Sequence, residues 1–379
     1  MKQIYLDYAA TAPVLPTAAQ AAINSIENFG NPSSLHQMGM AAEKAINQAR
    51  SAIAAVIGAK PAEVYFTSGG TEANNLAIFG AAKAHNGNRI ITTAAEHPSA
   101  LEPIKQLARR GFDVVYLKLS QGGLIDPAAL RQALAHPACL VTIHHVNNET
   151  GVQQDIPALA KIIKEAGTKT LLHVDGVQSF CKIPIDVKTM GIDMLSLSAH
   201  KIGGLKGCGA LFVQEKVHLK PIIFGGEQEN GLRAGTENVP GITAFAAATP
   251  VDVQANLEYV TALKDRFLTH LQDQNIQING QNTIPHIANI SIPDIRPEVL
   301  LNALSAQGVY VSAGSACSSN KRGKSSQSPA LQAYGLPPQR ASHALRISFS
   351  TQTTVEEVDT AAKIFASCIN NLRKTPKLR

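Results

Sequence analysis

The sequence contains no Cys-x-x-Cys pair, no signal-peptide core and no apolar run near the ~20 residues that a membrane-spanning helix needs. Its five cysteines are odd in number and widely spaced, which indicates neither a disulfide framework nor a zinc site. Charged residues make up only 16% of the chain, so wholesale disorder is not expected. We therefore expect a folded protein of the reducing cytoplasm, with no membrane partner and no metal ligands.

Nucleic-acid-binding motifs are also missing, since the chain has no RNP, helix-turn-helix or zinc-finger pattern. The formal net charge of +6 is modest and partly local. It includes a basic tail around Arg373 and a second cluster of Lys321, Arg322 and Lys324. Such clusters are usually solvated surface, so we expect no direct binding of nucleic acid.

Short β-rich runs alternate with longer helical patterns through most of the 379 residues. The predicted strands are Glu63–Thr67, Arg89–Thr93, Asp113–Leu117, Cys139–His145, Thr170–Asp175, Asp193–Ser198 and Gly209–Val213. The predicted helices between them are Met38–Ile57, Ala100–Arg110, Ala128–Ala135 and Ile156–Ala166. This alternation is typical of an α/β fold with a mostly parallel sheet covered by helices on both faces.

After Pro240 the pattern changes to one long helix at about Ile242–Gln272, followed by a second α/β part. Its predicted elements are strands near His286–Ile292, Val309–Val311 and Leu345–Phe349 and a closing helix, Thr354–Leu372. We expect a large domain of residues 15–245 and a small domain of residues 1–14 and 246–379. The Ser-, Gly- and Lys-rich segment 312–328 is predicted to be a mobile loop of the small domain.

Three segments carry residues suited to chemistry. In VYFTSGGTEANN, Gly70 and Thr71 open a helix whose N-terminus could bind a phosphate, or Thr71 could simply cap it. In HVDGVQS, Asp175 ends an apolar strand, where it could face a ligand or cap the next helix. In SLSAHKIGG, Lys201 follows a strand and could be an ordinary surface lysine. Together, in this order, the three supply the amine, phosphate donors and carboxylate that pyridoxal phosphate requires.

At these positions the sequence resembles cysteine desulfurases of the NifS/IscS type, which are fold-type I (aminotransferase class V) pyridoxal-phosphate enzymes. The matching blocks run nearly from end to end of the chain: YLDYAATAP, GNPSSLH, AEHPSA, VNNETGVQQDI, HVDGVQS, SLSAHKIGG, GLRAGTEN, SAGSAC and LRISF. One such block is a weak signal, whereas nine in the family's order are highly specific. The resemblance implies a large domain that binds the cofactor and a smaller C-terminal α/β domain.

The resemblance also implies roles for individual residues. Lys201 would bind the cofactor as a Schiff base and move the Cα proton of the substrate. Asp175 would pair with the pyridine nitrogen, and Gln178 would hydrogen-bond the phenolic oxygen. His97 would stack on the ring and take part in proton transfers.

Further residues would complete the site by the same resemblance. Asn148 would lie beside the cofactor and substrate, and Arg346 would bind the substrate carboxylate. The cofactor phosphate would be held by residues of three blocks and by one residue of a partner subunit in a homodimer, namely Gly70, Thr71, Ser198, His200 and, from the partner, Thr236.

Cys317 decides the reaction that the resemblance implies. Its thiolate would attack the sulfur of L-cysteine, leaving L-alanine and a persulfide on the enzyme. Its place in the predicted mobile loop would let it reach both the cofactor and a sulfur-acceptor protein, either an iron–sulfur scaffold or a tRNA-thiolation enzyme. Cys139 and Cys181 lie on apolar stretches and are predicted to be core residues.

Other functions stay open at this point. A selenocysteine lyase or a cysteine-sulfinate desulfinase would share the fold and could act without the thiol, and a non-catalytic sulfur-relay adaptor would have lost the chemistry. A transaminase would have no use for a loop thiol. The sequence also departs from the family's usual pattern. Gly203-Gly204-Leu205 replaces the common Tyr-Gly-Pro and could loosen the cofactor loop, and the segment after Cys317 is long and basic, which leaves the acceptor open.

Overall fold

A computed structural model of the chain describes residues 3–84, 87–167, 169–250, 252–313 and 328–374. Its strands, numbered in chain order, are β1 Ile4–Tyr5, β2 Val64–Thr67, β3 Arg89–Thr93, β4 Asp113–Leu117, β5 Leu140–His144, β6 Leu171–Asp175, β7 Met194–Ser198, β8 Gly209–Val213, β9 Gln277–Ile278, β10 Ile287–Ser291, β11 Val309–Tyr310 and β12 Ala344–Ser348. Its helices are α1 Pro16–Glu27, α2 Gln37–Val56, α3 Gly70–Ala84, α4 Pro98–Arg109, α5 Pro127–Ala133, α6 Ile156–Glu165, α7 Val239–Ala247, α8 Val253–His270, α9 Pro297–Ala306, α10 Pro329–Ala333, α11 Pro338–Ser342 and α12 Val355–Lys374.

The central element is a seven-stranded sheet with the order β2-β8-β7-β6-β5-β3-β4. Within it β8 runs against the other strands, since it pairs antiparallel with both β2 and β7. Successive residues of a strand point to opposite faces of the sheet and therefore pack in different hydrophobic cores. Ile90 and Leu140 pack with α3 and α4, while Ile91 and Val141 pack with α2, α5, α6 and α7. The sheet is therefore buried on both faces, and the predicted α/β fold is confirmed.

The C-terminal part has a core of its own. The antiparallel strands β9, β10 and β12 and the helices α8, α9 and α12 enclose it, and β1 joins it by pairing parallel with β11. Its centre is a trio of rings in which Phe267 packs edge-on against Phe349 and Phe365, at centroid distances of 5.6 and 5.2 Å. The predicted domain limits at residues 14 and 245 fall between the two sets of core residues, and they stay a prediction.

One sequence prediction is wrong. The single long helix expected over Ile242–Gln272 is two helices, because α7 ends at Ala247 and α8 begins at Val253. Pro250 lies between them, lacks an N–H group and disfavours helical geometry in the residue before it. A new N-cap follows, since the Asp252 side chain accepts a hydrogen bond from Ala255 N at 2.9 Å.

In the part of the chain that the structure describes, every helix is too short or too polar to cross a lipid bilayer. The predicted mobile segment 312–328, which includes Cys317, lies outside the described residues except for Ser312, Ala313 and Ser328. Cys139 and Cys181 are buried, as predicted.

Candidate active site

Ten of the predicted site residues line one cavity of about 250 Å³ at the carboxyl ends of the parallel strands. They are Gly70, Thr71, His97, Asn148, Asp175, Gln178, Ser198, His200, Lys201 and Arg346. Two predicted residues are not among them. Thr236 is exposed and lines a separate cleft with Arg233 and Glu237, and Cys317 lies outside the described residues.

Lys201 reaches the cavity from a 3₁₀ turn, Ala199–Lys201, which directly follows β7. Its Nζ donates hydrogen bonds to the carbonyl oxygens of Ala9 and Ala10, each at 2.8 Å. The N-terminal segment therefore forms one wall of the site and fixes the direction of the amine. The following turn is held too, because Gly203 O accepts a hydrogen bond from Leu15 N at 2.9 Å, so the backbone contacts do not reveal the looseness expected at Gly203-Gly204-Leu205.

Asp175 is the last residue of β6, lines the cavity and is only 7% exposed. Its Oδ1 accepts a hydrogen bond from Val177 N at 3.0 Å, and its Oδ2 accepts one from Asn74 Nδ2 at 2.7 Å. Two hydrogen-bond donors hold this carboxyl group in one direction, which suits it to pair with a protonated ring nitrogen.

His97 is the N-cap residue of α4, and its Nδ1 accepts a hydrogen bond from Ser99 N at 3.1 Å. Nδ1 also lies 2.7 Å from Ser99 Oγ, which in turn accepts a hydrogen bond from Asn74 Nδ2 at 2.8 Å. With Nδ1 accepting, the ring hydrogen lies on Nε2. Burial lowers the pKa of His97 and nearby Lys201 lowers it further, although Asp175 opposes them, so the ring is neutral at pH 7.

The start of α3 approaches the cavity through Gly70. A Cβ atom at this position would lie 2.6 Å from Val177 Cγ2 and 3.5 Å from Ser198 Cβ, so only glycine fits between them. Beside it are Thr71, Ser198 and His200, which offer hydroxyl and imidazole groups at a helix N-terminus. This end of the cavity is built to receive an anion.

His200 stays uncharged at this anion-binding end. Burial lowers its pKa to about 4, and the charge of Lys201 contributes to the shift. Its Nδ1 lies 3.0 Å from Thr11 Oγ1, a second contact between the N-terminal segment and the site.

Arg346, on β12, is 1% exposed and brings a charge from the C-terminal part into the cavity. Its Nη2 donates to Asp7 Oδ1 at 2.6 Å, and its Nη1 donates to the carbonyl oxygen of Asn148 at 2.8 Å. The buried Nε has no hydrogen-bond partner within the described ranges. A guanidinium held in this way can bind a carboxylate that enters the cavity.

A histidine–glutamate pair that the sequence motifs did not indicate lies beside Asp175. His144 ends β5, in register with Asp175 on β6, and its Nδ1 is 2.9 Å from Glu96 Oε1. Burial alone would lower the pKa of His144, but the charges of Glu96 and Asp175 outweigh it and raise the pKa. Nothing in the sequence singled out this histidine, because it is the last residue of an apolar strand.

These groups fit pyridoxal phosphate. An amine, a buried carboxylate, a neutral imidazole, an anion-binding helix start and a buried guanidinium surround one small cavity. The guanidinium also keeps its Nε without a partner among the residues that the structure describes. Lys201 would hold the cofactor covalently, Asp175 would meet its ring nitrogen, and the start of α3 would meet its phosphate.

Comparison with known proteins points in the same direction. The family model of the class-V aminotransferases, described as "Aminotransferase class-V", matches residues 4–360. The chain is 39% identical to the cysteine desulfurase IscS of Dictyoglomus turgidum, over 98% of this chain and 96% of that protein. Among solved structures it is similar to a NifS-like protein, with a TM-score of 0.91 and 33% identity over 98% of this chain and all of the other.

The description of another similar structure names a bound ligand. A structure described as SspA in complex with cysteine superposes with a TM-score of 0.83 and 36% identity, covering 93% of this chain and all of that one.

Proposed function

The chain belongs to the aminotransferase class-V family, and from this premise we propose that it is a pyridoxal-phosphate-dependent cysteine desulfurase that converts L-cysteine to L-alanine and passes the sulfur to Cys317. The observation that carries the proposal is the cavity in which Lys201, Asp175, His97 and Arg346 converge.

The bound cofactor acts as an electron sink that weakens the bonds at Cα and Cβ of an amino acid. The protein's part is to position and to move protons. Arg346 orients the substrate by its carboxylate, and Lys201 Nζ moves the Cα proton. Neutral His97 can donate from Nε2, which carries its hydrogen, whereas a proton would be taken up at Nδ1, which faces Ser99.

Sulfur transfer needs a thiolate, and four of the five cysteines are poorly suited to provide one. Cys139, Cys181, Cys208 and Cys368 are buried, and burial raises the pKa of each thiol, to about 11 for Cys139 and about 12 for Cys208. The remaining cysteine is Cys317. Its thiolate attacks the substrate sulfur, an S–S bond forms as the C–S bond breaks, and the electron pair left on carbon takes up a proton to give alanine.

A free thiol is needed again in each cycle, so a reducing cytoplasmic compartment is part of the proposal. The persulfide then passes to an acceptor protein, either an iron–sulfur scaffold or a tRNA-thiolation enzyme. The long basic segment after Cys317 favours an acceptor with an acidic docking face.

A homodimer is also part of the proposal, and two features of the surface support it. Large apolar side chains are exposed on and around α1 and the start of α2, with Phe29 80%, Leu35 96% and Met40 60% exposed. Apolar residues clustered in this way mark a surface that another protein covers. Thr236 is exposed and away from the cavity of its own chain, as a residue supplied to a partner subunit would be.

The decisive experiment measures two products at once. The purified protein is incubated with L-cysteine, pyridoxal phosphate and a reductant, and alanine and sulfide are quantified together. We expect equal amounts of both, and a loss of at least a hundredfold in Cys317→Ala, while Cys368→Ala retains the wild-type rate because its thiol is buried in α12.

Other results would identify another reaction. Turnover of L-cysteine that survives in Cys317→Ala would contradict the thiol mechanism. Turnover of selenocysteine or cysteine sulfinate alone would identify a lyase or desulfinase on the same fold. The absence of any product with cofactor supplied would favour a non-catalytic adaptor.

A further inference from the structure

Lys182 lies buried behind the cavity, in the turns that follow β6, and is 7% exposed. Its Nζ donates a hydrogen bond to Gln178 Oε1 at 2.8 Å. Lys182 itself does not line the cavity, whereas Gln178 does. Its contact with the site therefore passes through the Gln178 amide.

This ammonium has an unusual set of neighbours. Among the residues that the structure describes, no carboxylate forms an ion pair with Lys182. Of the other buried cations, Arg346 pairs with Asp7, whereas Lys264 binds only a hydroxyl and a carbonyl oxygen among the described residues. Burying a charge without a counter-charge destabilises the fold, so stability does not account for a lysine here.

The contact fixes the orientation of the Gln178 side chain. Its carbonyl oxygen accepts from Lys182, and its Nε2 donates to the carbonyl oxygen of Ala9 at 2.9 Å. An amide nitrogen carries two hydrogens, so one remains for a ligand in the cavity. A protonated lysine cannot accept a hydrogen bond, so in its charged form Lys182 excludes the flipped amide, which would present its oxygen to the cavity instead.

The groups around Lys182 are mostly cationic. Burial, together with the charges of Lys201 and Arg346, lowers its pKa to about 7, while the neighbouring Cys181 opposes the shift. Its own charge in turn lowers the pKa of His200 and His286. An anion in the cavity would be the missing counter-charge.

We propose that Lys182 is a positioning residue for the cofactor, which holds an N–H group of Gln178 toward the cavity and stabilises negative charge on the phenolic oxygen that this N–H group meets. The inference rests on the proposed function, because it requires the cofactor. It predicts that loss of Lys182 changes two quantities. One is the pH dependence of unfolding in the cofactor-free protein, and the other is the pH dependence of the cofactor's visible absorbance in the enzyme with cofactor bound.

The cofactor-free protein reports on the buried lysine itself. A folded-state pKa below the ordinary value of 10.5 means that the unfolded chain binds more protons between pH 7 and 10.5, so the lysine's contribution to stability rises with pH there. We expect the unfolding equilibrium constant of the wild type, relative to Lys182→Met, to fall by up to tenfold per pH unit between about pH 7.5 and 9.5. A ratio independent of pH would show that Lys182 is not held in a charge-disfavouring site.

With the cofactor bound, its visible absorbance measures the charge on the phenolic oxygen. Because a nearby cation favours the more negative form of the cofactor, the pH midpoint of its visible absorbance should rise in Lys182→Met by roughly one unit. Lys264→Met is the matched control. Lys264 is also buried, with its Nζ 2.9 Å from Thr283 Oγ1, and its pKa is lowered to about 8, but unlike Gln178 its partners Thr283 and Ile284 do not line the cavity. The Lys264→Met variant should therefore keep the wild-type pH midpoint.

The outcomes are distinguishable. A wild-type midpoint in Lys182→Met would overturn the role of Lys182 while leaving the desulfurase intact. A wild type that gains no visible absorbance from pyridoxal phosphate would overturn the proposed function and this inference with it. If Lys182→Met does not fold, Lys182→Gln, which keeps an N–H donor without the charge, should show the same direction of shift.

Discussion

At the scale of single residues, Asn74 connects the two groups that give the cavity its proton chemistry. Its side chain is completely buried on α3, and one nitrogen, Nδ2, donates both to Asp175 Oδ2 and to Ser99 Oγ. Ser99 then donates to His97 Nδ1. A single amide therefore holds the carboxylate in place and, through the serine, determines which nitrogen of the imidazole carries the hydrogen.

We predict that Asn74→Ala raises the dissociation constant of pyridoxal phosphate by about tenfold or more, because a hydrogen bond to a buried charged group contributes about 1.5–3 kcal/mol. The next residue supplies the control. Asn75 is half-buried, and its Nδ2 donates to the backbone oxygens of Thr71 at 2.8 Å and Ser99 at 3.4 Å but not to Asp175, so Asn75→Ala should bind the cofactor like the wild type. Equal affinities in the two variants, measured by fluorescence titration, would contradict a role for Asn74.

The sequence motifs located most of the cavity but not what supports it. Lys201, Asp175 and Gln178 stand in blocks whose order identifies the chemistry. Asn74 lies within VYFTSGGTEANN and Lys182 follows HVDGVQS, but neither was singled out, because an asparagine inside a helix and a lysine in a turn have no periodicity that marks them. Their importance comes from contacts such as Asn74 to Asp175, which are 101 residues apart in the chain and become visible only in the fold.

At the scale of elements, the packing of α3 against the turn after β6 determines the shape of the anion-binding end. Gly70 lies so close to Val177 that one additional methyl group would overlap it. Both residues line the cavity, so a change in the packing of these two elements would also change its wall.

A pair of substitutions tests this fit. Gly70→Ala should lower the unfolding free energy of the cofactor-free protein by about 1–3 kcal/mol, the usual range for overpacking, and weaken cofactor binding. Adding Val177→Ala removes the methyl group that the introduced alanine side chain would overlap. The double variant should therefore regain most of the unfolding free energy and most of the cofactor affinity. Val177→Ala alone is the control for lost packing. Failure of the double variant to recover would mean that the defect is not steric.

The elements themselves were largely predictable. Each strand expected in the central sheet is present, with ends that differ by one residue at most, because apolar β-branched runs between turn residues are a strong signal. The break between α7 and α8 was missed although Pro250 marked it, because the apolar periodicity on its two sides suggested one continuous helix.

At the scale of the whole molecule, the separation of Thr236 from its own cavity makes the subunit arrangement testable. If Thr236 completes the partner's site, a mixed dimer of Lys201→Ala and Thr236→Ala subunits has one site with both residues intact. We expect each variant alone to be nearly inactive and the mixture, after dissociation and reassociation, to recover up to a quarter of the wild-type rate per subunit. No recovery, together with a monomeric mass in light scattering, would contradict the shared site.

The wall that residues 4–10 give to the cavity also has a consequence for biosynthesis. These residues leave the ribosome before the rest of the fold, yet β1 pairs with β11, Ala9 N bonds to Ser348 Oγ, and the carbonyl oxygens of Ala9 and Ala10 hold Lys201. The contacts of residues 4–10 therefore cannot form until almost all of the polypeptide has been translated. A nascent chain cannot assemble the complete cavity, so catalytic competence is acquired only after synthesis has passed residue 348.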